Sequence, residues 1–222
     1  MLSQISVLTL YNWRNMKRLL LIAAVLPGLS ACGGGGGESS TSTSPVSTAP
    51  VAPLAAYIGN WATSCHFHAI DYASITHAPG TTDSISITYK TDYHVNPDCS
   101  GPVLGTWTQS ASATAVYEGS VDSSIVFTGG SAAVAARVDK VTTSLPSHTW
   151  SVTGTGVEHS VVDDLAQWCI TYANGDRSCI MDEGTYRAFV VNPTGLYLQG
   201  NVMYELRSNV SVYMENKAFK RQ

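Results

Sequence analysis

Charged side chains are scarce in this chain. They make up 13 % of its 222 residues, against roughly 25 % in an ordinary soluble domain. The formal net charge is −4, and no stretch of Lys and Arg forms a basic stripe, which excludes an electrostatic footprint for nucleic acid. There is no G-x-S-x-G nucleophile elbow, no C-x-x-C pair of the zinc or thioredoxin kind, and no internal repeat. No apolar run reaches the ~20 residues that a membrane-spanning helix needs. These absences leave no assembled catalytic or cofactor signature, so the expectation is a non-enzymatic protein without a cofactor. Ser, Thr and 19 Gly fill the space that charge vacates, as in exported β-proteins with many short strands and turns.

The N-terminal region does carry a pattern. Met16-Lys17-Arg18 precedes an apolar run from Leu19 to Leu26, then Pro27-Gly28 breaks it. This is the order of a secretory signal. Leu29-Ser30-Ala31-Cys32 resembles the lipobox of bacterial lipoproteins. The resemblance covers about seventeen residues and implies cleavage before Cys32, diacylglycerol on its thiol and acylation of the new N-terminus. Several buried acyl chains, at about 0.8 kcal/mol per methylene, anchor a protein stably. Gly33 stands where an Asp favours inner-membrane retention in such lipoproteins, which implies the outer membrane. Residues 1–15 lie upstream of a complete signal and read as a mis-called start. Residues 1–31 contain Arg14, Lys17 and Arg18 and no acid, so their removal takes the net charge from −4 to −7. Residues 32–56 then read as a lipidated cysteine followed by a disordered Gly/Ser/Thr/Pro tether, because such composition buries too little apolar surface to offset its ordering entropy.

Residues 57–222 form one β-rich unit by their periodicity of two. Ile85, Ile87 and Tyr89 share one face of Ser84–Tyr89. Segments rich in β-branched and aromatic residues recur at Val103–Glu118, Val121–Thr128, Thr149–Val152, Trp168–Tyr172, Tyr186–Val191, Leu196–Gln199, Val202–Leu206 and Val210–Met214. Turn residues interrupt them, which predicts an all-β, mainly antiparallel barrel or sandwich. The most helix-like piece is Val161–Gln167. Gly59-Asn60-Trp61 resembles the G-x-W opening of lipocalin-type barrels, where the Trp closes one end. That resemblance implies a lipocalin-like architecture, without that family's ligand chemistry. Thr91-Asp92-Tyr93 looks like the second lipocalin signature but comes far too early in the chain.

Candidate chemistry is sparse. His66 and His68 flank Phe67, so on a strand both project to one face. Two imidazoles so spaced are weak zinc or copper candidates, with His77, His94 or Asp71 as further ligands. Trp61, Cys65 and Phe67 take the other parity, so the histidines are expected to point outward and no metal site is assigned. Asp163-Asp164 and Asp182-Glu183 are neighbours in sequence, which suits solvated loops better than a carboxyl pair across a cleft. Trp107, Trp150, Trp168, Tyr172 and Tyr197 are candidates for a carbohydrate or apolar-ligand site, though at strand spacing such residues are more often core.

With Cys32 committed to lipid, Cys65, Cys99, Cys169 and Cys179 remain in an oxidising compartment. Three pairings are possible; the short 169–179 separation favours that pair and leaves Cys65–Cys99, a loop of about 35 residues worth roughly 3 to 4 kcal/mol. Register can be derived for the local pair. A type I turn at Ala173-Asn174 with Gly175 as a G1 bulge sets Tyr172 opposite Asp176. Thr171 then meets Arg177, Ile170 meets Ser178, and Cys169 meets Cys179 as a non-hydrogen-bonded pair. Trp168, Ile170, Tyr172 and Ile180 fall on the predicted core face, with the disulfide on the outer side. Three function classes follow: an envelope lipoprotein whose barrel binds a small or apolar ligand or an envelope partner, a structural or assembly accessory without small ligand, and an enzyme of unrecognised type.

Overall fold

A computed structural model describes residues 52–222 apart from 163 and 183. Cys32 and the rest of the signal and lipobox lie outside the described residues. After a 3-10 turn at Ala55–Tyr57 come β1 (Gly59–Ala62), β2 (Ala69–His77), β3 (Ser84–His94), β4 (Val103–Gln109) and β5 (Ala113–Val126). They are followed by β6 (Ala133–Leu145), β7 (His148–Thr153), β8 (Val157–Val162), β9 (Leu165–Thr171) and β10 (Arg177–Asp182). The series ends with β11 (Thr185–Tyr186), β12 (Phe189–Val191), β13 (Gly195–Gln199), β14 (Val202–Asn209) and β15 (Val212–Arg221). The fold is all-β.

Eight strands close a ring of antiparallel neighbours, in the order β1, β2, β3, β5, β6, β13, β14, β15 and back to β1. Closure leaves those strands without a free edge within the ring. Alternation fills the inside. Ala73 and Ile75 of β2, Ile85 and Ile87 of β3, Ala113 and Ala115 of β5, Val141 and Leu145 of β6 pack with Trp61, Leu196, Met203 and Phe219. One end is shut by the incoming chain. Leu54 and Tyr57 are buried in that core, and Trp61 Nε1 donates to Tyr57 O at 2.8 Å. Arg221, at the end of β15, lies 4.1 Å over the Trp61 ring and donates to Ala56 O and Ile58 O. Leu54 is therefore core, although composition places it in the tether; a buried leucine outweighs its Pro/Ala surroundings.

Outside the ring wall a second cluster forms. Ile125, Val138, Leu206 and Tyr213 are buried there with Tyr197 and Tyr204 against them; the parity of Tyr197 and Tyr204 is opposite to that of the core residues Leu196 and Met203. The long β5 reaches across to pair in parallel with β15 at Tyr213 and Met214.

The segment Val103–Glu118 is two strands rather than one, because Ser110-Ala111-Ser112 turns the chain. The first of them, β4, leaves the ring: β3 pairs with β5 over Ser84–Ile87 and with β4 over Lys90–His94. β7 extends this flap, and the separate β8–β9–β10 sheet packs on it through Val152, Trp168, Ile170 and Tyr172. Val161–Gln167 is no helix; it spans the turn of the β8–β9 hairpin, where Val162 pairs with Leu165 and Asp164 has φ 65°. β-branched valines and a two-residue turn prevail there over a weak helical pattern.

The β9–β10 hairpin has the derived register from Thr171/Arg177 to Cys169/Cys179. Tyr172 N donates to Asp176 O, Gly175 N to Tyr172 O, and Gly175 sits at φ 84°, the left-handed position of a G1 bulge. Trp168, Ile170 and Tyr172 are buried. Two corrections apply. The register slips after Cys179, so that Met181 rather than Ile180 opposes Trp168. The Cys169 and Cys179 Cα atoms stand 3.9 Å apart, closer than the ~4.5 Å of an ordinary pair of this type, and the extra residue follows at once. The disulfide is also not simply on the outer side, since Cys179 is exposed while Cys169 is fully buried in the central strand of its sheet.

Candidate functional site

At the end of the ring opposite the Leu54–Trp61 closure, the inward positions change from aliphatic to polar. On β3 the inward series runs Ile85, Ile87, Tyr89, Thr91 and Tyr93. On β2 it runs from Ile75 and Ala73 to Asp71, and on β14 from Met203 to Glu205. Asp71, Tyr89, Thr91, Tyr93 and Glu205 line a cavity of about 330 Å³ together with Lys217 and Asn216 of β15, Trp107 of β4 and Asn192 from the β12–β13 connection. Asn216 is there because of a bulge. Glu205 pairs with Lys217 and Leu206 with Glu215, leaving Asn216 as the extra residue, and bulges re-aim side chains in this way.

Charge in the cavity is ordered. Asp71 accepts from Thr91 Oγ1 at 2.6 Å and from Lys217 Nζ at 2.8 Å, a half-exposed ion pair at the rim. Glu205 lies deeper, 4 % exposed, and accepts one hydrogen bond, from the Tyr89 hydroxyl at 2.5 Å. Burial pushes the Glu205 carboxyl up to about 7; the Tyr89 hydrogen bond and the Lys217 ammonium pull it down, and Asp71 adds to the rise. Burial likewise raises Tyr89, with Glu205 adding, and raises Tyr93, with Asp71 and Tyr172 adding. Both phenols therefore stay protonated and can donate. Lys90 also borders the cavity, but its Nζ is on the outer face, 4.4 Å over the Tyr72 ring and 2.9 Å from Asp92. A second pocket of about 390 Å³, more enclosed and more apolar in its lining, lies beside Asn60, Trp61, Tyr72, Ser74 and Thr88. Lys90 is the one ionisable group of formal charge along it, already paired, so the end cavity carries the richer chemistry.

The histidine reading from parity does not hold. Residues 66–69 form a tight turn, with His66 N donating to Ala69 O and Ala69 N to His66 O. Phe67 and His68 have φ 44° and 71°, so alternation fails. Phe67 is 77 % exposed and His68 is buried, its ring stacked 3.9 Å from that of Tyr172. His66 and His77 are exposed, and His94 Nδ1 is 3.3 Å from Gly101 O. The four do not converge, and no group of three or more His, Cys, Asp or Glu able to hold a metal occurs among the described residues.

Cys65 is bonded to Cys99 with Cα atoms 5.7 Å apart, tying the β1–β2 connection to the β3–β4 loop. Asp164 lies in the β8–β9 turn, while Asp163 and Glu183 lie outside the described residues. Of the five aromatics, Trp168 and Tyr172 are core, Trp107 lines the cavity, Trp150 stacks on Tyr186 at 3.9 Å, and Tyr197 belongs to the outer cluster. Glu205, Lys217 and Asn216 went unmarked in the sequence, where Tyr89 was placed only on one face of its strand with Ile85 and Ile87. The available signal was an acid, Glu205, at the parity of buried Met203. Compared with protein-family models, with curated proteins and with solved structures, the chain matches none.

Proposed function

We propose that this chain is a non-enzymatic, lipid-anchored binding protein of the bacterial outer membrane. On this reading Cys32 carries the lipid, residues 33–51 span the distance to the barrel, and a lipocalin-like barrel takes a small polar ligand in its open end. The observation that carries the reading is the placement of the cavity. Inward positions that are mostly Ile, Ala, Leu, Met and Phe through the rest of the ring, apart from Thr143 and the mutually hydrogen-bonded Tyr57, Tyr117, Ser120 and Asp139, become Asp71, Tyr89, Thr91, Glu205 and Lys217 around the cavity at one end. Buried polar side chains cost stability unless they are satisfied, so their concentration around a cavity large enough for a small molecule supports a recognition role. The same lining argues against the apolar ligand that a hollow hydrophobic barrel would hold, since the middle of this ring is filled with side chains.

The test is thermal shift of the purified full chain against a panel of small polar compounds and of fatty acids. Polar compounds should raise the unfolding temperature in wild type and less so in Trp107→Ala, because a ligand bound to the folded state adds RT ln(1 + [L]/Kd). Stabilisation by fatty acids alone, or an equal response in the variant, contradicts the proposal.

A further inference from the structure

We infer that the end cavity selects a small organic cation, a compound bearing an ammonium group that seats on Glu205. This rests on the reading of the cavity as a ligand site and assigns the chemistry of what enters it.

Charge balance makes the case first. Two carboxyls, Asp71 and Glu205, face the cavity with one ammonium, Lys217, among them. Lys217 is committed to Asp71 at 2.8 Å. Lys90 is turned to the outer face, where Asp92 holds it. An incoming anion would have to break one of these pairs and lie against two acids. Glu205, by contrast, has no ion pair among the described residues and a single donor, Tyr89. A buried carboxylate left with one neutral hydrogen bond is poorly compensated, and an ammonium placed beside it supplies both charge and donors. The walls fit that guest. Tyr89, Tyr93 and Trp107 line the space, and aromatic faces attract cations by about 0.5 to 2 kcal/mol.

Protonation of Glu205 follows from the same geometry. The groups facing it are Tyr89 from β3, Asp71 from β2 and Lys217 from its own neighbour β15. A bound ammonium requires the ionised carboxylate, so binding should tighten as pH rises through the range near 7 where the carboxyl releases its proton in the empty protein. Between pH 6 and pH 8 the ionised fraction of such a group rises about tenfold, while an alkylammonium of ordinary pKa stays charged.

The experiment is calorimetric titration of the full chain, in detergent, with butylammonium, 1-butanol and butyrate at pH 6, 7 and 8. Butylammonium should bind, about tenfold more tightly at pH 8 than at pH 6. Glu205→Gln, which keeps an acceptor for Tyr89, should lose most of that binding and all of its pH dependence. Lys217→Met should still bind butylammonium, with the pH dependence moved to higher pH because the ammonium that holds the Glu205 carboxyl down is gone. Unfolding temperatures of both variants verify that they are folded. Butyrate binding that Lys217→Met abolishes would overturn the inference in favour of an anion site. Butanol binding as strong as that of butylammonium and flat with pH would overturn it too, yet leave the cavity a polar site. Failure of all three probes, together with no polar hit in the thermal-shift panel, would sink both readings.

Discussion

Glu205 shows how one side chain couples fold and site. Its carboxyl sits at about 7 in the folded chain against 4.5 ordinarily, chiefly through burial. A folded-state pKa raised above the unfolded one means that the folded state holds the proton more tightly, so this group's contribution is complete below about pH 4.5. It is lost as pH rises towards about 7. Glu205→Gln cannot ionise and keeps the neutral form's shape. Urea unfolding of the two proteins should therefore show the variant gaining on wild type by a few kcal/mol, to order of magnitude, between pH 4.5 and 7, with a constant gap above. A gap that does not change with pH, or that moves in favour of wild type, would contradict the burial of this carboxylate. Asp71 is partly exposed and already paired with Lys217, which leaves it no comparable demand for a new partner.

At the scale of elements, the β9–β10 hairpin is held by its disulfide and docked by its aromatic face. Gly105 of β4 is part of that docking, since a Cβ there would stand 2.7 Å from Ile170 Cδ1 and 2.9 Å from Val157 Cγ2. Removing the bridge as the double variant Cys169→Ala and Cys179→Ala should cost about 2 to 3 kcal/mol on the chain-entropy model. The loss should be local: hydrogen exchange should quicken in β8, β9 and β10 while β3 and β14 of the ring keep their protection. Equal acceleration throughout, or none, would show that this sheet is not a separate unit of stability. The hairpin was also the most legible part of the sequence. Asn174-Gly175 restricts the turn to a few types, and the requirement that two cysteines meet selects one register from them. Legibility ended where local rules end. A bulge after Cys179 carries no sequence mark. The turn at Phe67-His68 hides positive φ that alternation does not foresee, so parity there misplaced Phe67 and His68, while His66 is exposed as expected.

For the whole molecule, alternation was enough to read an all-β chain. What could not be read was which residues the closure brings together. Asp71 and Lys217 are far apart in the chain, and only the meeting of β2, β3, β14 and β15 around one cavity makes a site of them. The chain enters the barrel across the shut end, through Leu54 and Tyr57, and the cavity opens at the other. The proposed function places a lipid on Cys32, upstream of that entry. Intact-mass spectrometry of the protein extracted from its own membranes tests the proposed lipid anchor. The predicted result is a chain beginning at Cys32, heavier than its residues by a diacylglycerol and an N-terminal acyl group, and lost from the membrane fraction in Cys32→Ala. A protein that begins elsewhere without acyl mass, or a Cys32→Ala variant that stays on the membrane, would contradict it.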